Sequence, residues 1–133
     1  MAALRITDLV FRWPRQAVAC LDIPHLELTP GERVFLHGPS GSGKSSLLGL
    51  LGGVALPEHG SIELLGTDIT RLGGRARDHF RAEHIGFLFQ QFNLLPWLSA
   101  LDNVLLPCTF SPRRRERAGT APQVEAERML RHL

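Results

Sequence analysis

Glycine, lysine and serine fall at one chemically suggestive spacing in the stretch FLHGPSGSGKSS, residues 35–46. Gly38, Gly43, Lys44 and Ser45 fill the pattern G-x-x-x-x-G-K-[ST]. Those residue types suit a phosphate chain. Gly38, Gly41 and Gly43 free the backbone to turn successive N–H groups toward phosphate oxygens. A helix starting near Lys44 adds its positive end at the same place. Lys44 is a compact, mobile charge within reach of β- and γ-phosphates, and the Ser45 hydroxyl is placed to ligand Mg2+. Lys44 is also the one lysine in a chain with fourteen arginines. A planar guanidinium fits a narrow nest of N–H groups poorly, which explains why this position keeps Lys. The competing reading is a glycine-rich turn with an incidental lysine.

The elements around the loop must hold it between a strand and a helix. RVFLHG (33–38) reads as a short apolar strand entering the loop, and the leucines of SSLLGLLGGV lie at helical spacing, with Gly52 and Gly53 as the stop. Upstream, LRITDLVFR (4–12) and ACLDIPHLEL (19–28) read as strands, with Pro24 placing the second at an edge or bulge. GSIELLG (60–66) is a further strand, and residues 68–84 are a polar helix with Asp68 as candidate cap. IGFLFQ (85–90) reads as a buried strand. Residues 92–107 form an apolar loop and short helix with Ser99 as cap, 111–122 a polar connection, and QVEAERMLRHL a last helix. Strands followed by helices on an apolar framework give an α/β class.

Composition narrows the rest. A length of 133 residues suits one compact domain, and 44% hydrophobic with 21% charged residues is globular rather than disordered. The net charge of +2 is too weak a bias to argue for nucleic acid, and no nucleic-acid partner is expected. Cys20 and Cys108 have no second pair at metal-ligand spacing and read as small half-buried thiols in a reducing compartment. The N-terminus lacks the apolar core of a signal peptide, and no apolar run is long enough to span a membrane. A cytoplasmic protein is expected, reaching a membrane only by docking to another chain.

LVFRWP, GPSGSGKSS and GFLFQQFNLLPWLSALDNVLLP together resemble the ATP-binding subunit of ABC transporters, in the branch serving lipoprotein release and MacB-like export. Small-molecule kinases usually place the phosphate loop in the first strand, whereas 37 residues precede Gly38 here. The resemblance implies a P-loop NTPase core with an N-terminal antiparallel β layer, over the first part of the family's domain only. Ser40, Gly41, Ser42, Gly43, Lys44, Ser45 and Ser46 would then form the Walker A site for ATP and Mg2+. Gln90 would be the Q-loop glutamine, contacting Mg2+ or the attacking water, with Gln91 the alternative by one residue. Trp13 stands where the family usually has a Tyr that stacks on adenine; Phe11 competes if the register slips, and an ordinary half-buried Trp is the bland alternative. Phe92 to Leu106, Trp97 included, would touch a transmembrane permease subunit or be internal core. A second ATP-binding subunit would complete a head-to-tail dimer on the cytoplasmic face of the membrane.

Three groups that hydrolysis needs have no convincing counterpart. Asp102 follows an interrupted apolar run and precedes Asn103, not Glu, so it makes a poor Walker B acid. RLGGR (71–75) superficially resembles the family's signature but lies before Gln90, and His132 is out of place for the switch histidine. The expectation is a partial ATP-binding domain over 1–133 that binds ATP without hydrolysing it alone. A non-catalytic nucleotide-binding module and a P-loop enzyme of another family are the alternatives. Loss of flanking strands would leave apolar edges unpaired and the chain marginally stable.

Overall fold

A computed structural model describes residues 2–132 and divides the chain into two compact units, residues 1–77 and 78–133. The first holds a four-stranded antiparallel sheet in the order β2-β1-β3-β4, formed by β1 (Leu4–Phe11), β2 (Leu21–Leu28), β3 (His59–Leu64) and β4 (Thr67–Asp68). Both long strands expected near the N-terminus form, and β2 is at the sheet edge, where Pro24 removes no interior ladder bond. This is the expected antiparallel layer.

Strand β1 shows how a sequence slip is absorbed. Leu4, Ile6, Leu9 and Phe11 are buried, a pattern whose parity changes between Thr7 and Leu9. The pairing of β1 with β3 shifts register between Thr7 and Val10, and Asp8 there has φ 48°. The extra residue of the bulge returns the next apolar side chains to the same face. Across the bulge Gly60 (φ 87°) passes so close that a Cβ would lie 2.3 Å from the Asp8 carbonyl oxygen. Ile62 of β3 and Ile69 are buried, as are Leu47 and Leu50 of α1 (Lys44–Leu51). Gly52 caps α1, as the sequence predicts.

Helix α2 (Gly74–His84) falls on both sides of the division between units. Its start is tied down within the first unit by Arg77, whose guanidinium donates to Gly53 O (2.9 Å) and Leu72 O (2.8 Å). The expected helix over 68–84 is therefore shorter. Asp68 is not its cap: it ends β4, and its Oδ1 accepts from Thr70 N–H at 3.0 Å in a local turn.

The second unit holds α3 (Ala100–Phe110), α4 (Pro112–Arg117) and α5 (Pro122–Leu130). Ser99 caps α3 as expected, accepting from Asp102 N–H at 3.0 Å, while its hydroxyl donates to the Asp102 carboxylate at 2.6 Å. Half of the polar connection expected over 111–122 is instead helix α4. Fully buried Ser111 accepts from Arg114 N–H, and Pro112 opens the helix. The Arg114 guanidinium donates to Ala82 O and Ile85 O, both at 2.7 Å, binding α4 to the end of α2.

Two expected strands do not form. Residues 32–39 and 85–89 carry no ladder, and the side chains of Val34, Phe35, Leu88 and Phe89 are exposed. An apolar run becomes a strand only when a neighbour supplies partners for its N–H and C=O groups. Both edges of β1 are taken by β2 and β3, and no other described strand pairs with either segment. Phe87 and Phe89, two apart on one side of the extended chain, stack on each other with centroids 5.8 Å apart.

Candidate functional site

The loop from Gly38 to Gly43 is built around the lysine that follows it. Lys44 Nζ donates to Gly38 O and Pro39 O, both at 2.6 Å, and lies 3.4 Å from Ser42 Oγ. The ammonium thus braces the bend from inside with its three donors. Gly43 closes the loop at φ 93°, where a Cβ would meet a Leu21 methyl at 2.7 Å and Cys20 O at 3.2 Å. The conformation and the close approach both require glycine.

Helix α1 opens on Gly43 with no side-chain cap and no acidic residue in its first turn. Leu47 is the first residue to bond back, to Gly43 O at 2.8 Å, so the N–H groups of Lys44, Ser45 and Ser46 precede any intrahelical partner. That end carries partial positive charge and free donors, which suits an anion. The Ser45 hydroxyl is exposed beside it.

A cavity of about 400 Å³ brings Trp13, Ser40, Gly41, Gly43, Lys44, Ser45 and Ser46 together, joined by Gln16 and Cys20. Gly38 and Ser42 act from behind it as acceptors for Lys44. Trp13 is 44% exposed, its ring edge-on to buried Phe11 with centroids 5.0 Å apart and planes at 77°. Phe11, the alternative aromatic, belongs to the core. Buried Ser46 accepts at Oγ from Trp13 Nε1–H (3.0 Å) and from the Cys20 thiol (3.4 Å). The sequence marks Cys20 only as a small half-buried thiol and gives Gln16 no role. The nearness of both to the loop depends on the β1–β2 connection, which no local motif announces.

The lining of the cavity suits the phosphates of a nucleotide. A phosphate chain would meet an uncapped helix end and a lysine, on a loop whose closing residue must be glycine because a Cβ at Gly43 would strike Leu21 and Cys20 O. Among the described residues no group of three or more His, Cys, Asp or Glu is placed to hold a metal.

Gln90 belongs to the second unit, exposed with Gln91 just beyond the 85–89 segment. Phe92, Leu94 and Trp97 follow and are exposed, Phe92 by 93% and Trp97 by 76%. Asn103 holds this loop by its amide, accepting from Leu95 N–H (2.8 Å) and donating to Leu95 O, Leu98 O and Ser99 O at 2.9–3.3 Å. Asp102 and Asn103, weighed above against the Walker B pair, are thus a helix-cap partner and a loop brace. Among the described residues no helix is long and apolar enough to cross a membrane.

An antiparallel layer joined to a glycine-rich loop that opens a helix with Lys-Ser defines the P-loop ATPase fold class. Residues 21–133 match the family described as ABC transporter, and the chain belongs to that family. It is 46% identical over 107 residues to the lipoprotein-releasing system ATP-binding protein LolD of Pseudomonas syringae pv. tomato, covering 77% of this chain and 47% of the relative. It is 47% identical over 92 residues to the macrolide export ATP-binding/permease protein MacB of Rhodopirellula baltica, covering 69% of this chain and 14% of that one. Among solved structures, the dimeric post-hydrolysis state of the ATP-binding cassette MJ0796 bound to ADP and Pi superposes with a TM-score of 0.79 at 31% identity, over 96% of this chain and 54% of that chain. The chain spans about half the length of LolD and of this cassette.

Proposed function

We propose that this chain supplies the ATP-gripping part of an ABC transporter's ATP-binding subunit, whose complete form couples ATP binding and hydrolysis to transport or extraction by a membrane permease. The observation that carries this is Lys44 within the loop, in one cavity with Trp13 and the uncapped start of α1. Backbone N–H groups of Ser40, Gly41 and Gly43 to Ser46 cradle the phosphates, while that of Ser42 holds the bend through Pro39 O, and Lys44 adds charge at the β- and γ-positions. Ser45 gives one oxygen to Mg2+, which when bound neutralises phosphate charge. Trp13 offers its free face to adenine.

Gln90 serves as the Q-loop residue, sensing Mg2+ or the attacking water. The exposed apolar residues between Phe92 and Leu106 meet a cytoplasmic helix of the permease; large apolar side chains left in water favour that reading over internal core. A second ATP-binding subunit packs head to tail, and the assembly sits on the cytoplasmic face of the membrane. Hydrolysis requires an acid for Mg2+ and a group orienting water, and no described residue near the loop takes either role. Calorimetric titration with MgATP beside a phosphate-release assay tests this. One binding site without turnover is expected, whereas multiple turnovers by the chain alone would contradict it.

A further inference from the structure

We infer that Ser46 is a positioning residue for the base: its hydroxyl pins the Trp13 indole to the phosphate helix and so sets how strongly the site takes a purine over bare phosphate. This rests on the nucleotide reading above. Trp13 lies just past the end of β1 in an exposed connection, where a long aromatic side chain has freedom to lose. Two contacts restrain it. Phe11 meets the ring edge-on, and Ser46 Oγ accepts the indole N–H at 3.0 Å. The Cys20 thiol donates to the same oxygen at 3.4 Å, so two donors occupy the hydroxyl's acceptor side and fix its orientation.

Ser46 is 8% exposed and sits in the first turn of α1, two residues from Lys44. A ring held by that residue is held in register with the phosphate grip. A bound base then stacks on a platform already in place, and the ring need not be ordered at the moment of binding. Phosphate affinity comes from N–H groups and Lys44. Base affinity comes from Trp13 through Ser46.

The test compares MgATP with inorganic triphosphate by calorimetry on the chain and on Ser46→Ala, Trp13→Phe, the double variant and Ser46→Thr. Trp13→Phe keeps a ring and loses the donor. The ratio of ATP to triphosphate affinity should fall about fivefold in either single variant, the worth of a typical net hydrogen bond. It should fall no further in the double variant and recover in Ser46→Thr. In a Trp97→Phe background, where Trp13 alone emits, Ser46→Ala should raise acrylamide quenching of the indole. An unchanged ratio in both single variants, or single losses that multiply in the double, overturns the inference. If the unvaried chain binds neither ligand, the nucleotide reading falls and this inference with it; if it binds both with an unchanged ratio across the series, only the inference falls.

Discussion

Lys44 Nζ donates to Gly38 O at 2.6 Å, so the lysine near the end of the phosphate loop is bonded to the glycine that begins it. The motif is closed on itself by one charged hydrogen bond, with Pro39 O as a second acceptor at the same distance. An ammonium can point separate donors at two adjacent carbonyls, whereas a guanidinium holds its donors in a fixed plane. The same geometry ranks the glycines around it.

Gly43→Ala should be much worse than Gly38→Ala. At Gly43 a Cβ meets Leu21 and the Cys20 carbonyl while φ is 93°, so about 1–3 kcal/mol of stability is lost with the site's shape. At Gly38 a Cβ meets Ser42 Oγ at 2.7 Å, a single hydroxyl that can rotate away at a cost below about 1 kcal/mol. Urea unfolding of both variants checks the order. Equal losses would contradict it.

Asn103→Ala should loosen the loop from Leu95 to Ser99 and cost about 2–3 kcal/mol, because one amide serves four backbone groups. Asn103→Asp should cost at least as much, since it sets a carboxylate against three carbonyl oxygens. Denaturation midpoints, with proteolysis at the loop as a local readout, measure both.

Ser111→Ala removes the cap of α4 at a fully buried position and should cost about 1 kcal/mol. Ser111→Thr, which keeps a hydroxyl acceptor for Arg114 N–H without burying a charge, should recover part of the helix. Circular dichroism during thermal melts follows the change, and a wild-type melt for Ser111→Ala would remove the cap assignment.

Phe92→Ser with Trp97→Gln should change stability by no more than about 0.5 kcal/mol, as both side chains are exposed. The same change should reduce self-association in sedimentation velocity, because it removes apolar surface that water now covers. A large loss of stability would return these residues to the core.

Much of the fold is written in local signals. Capping by Ser99, the edge position of Pro24, the start of α1 at Lys44 and the stop at Gly52 each depend on a few neighbouring residues. Helix α4 was missed, because its run of arginines reads as a solvated connection, while its cap at Ser111 and its opening at Pro112 are brief signals. The segments 33–38 and 85–90 failed for a different reason. Their apolar runs specify burial, while strand formation needs a partner the segment does not contain. The site divides the same way: the G-x-x-x-x-G-K-S spacing announced the phosphate grip, but the approach of Cys20 to Ser46 and the bond from Trp13 come from the folding of β1 and β2 around the loop.

Equilibrium binding of MgATP to the chain and to Lys44→Ala tests the central claim most directly. One saturable site on the unvaried chain, weakened at least about a hundredfold by Lys44→Ala through loss of a charged phosphate contact and of the loop's brace, is the expected result. Undiminished ATP affinity in Lys44→Ala, with its fold intact by circular dichroism, would contradict the assignment of this loop as the nucleotide site.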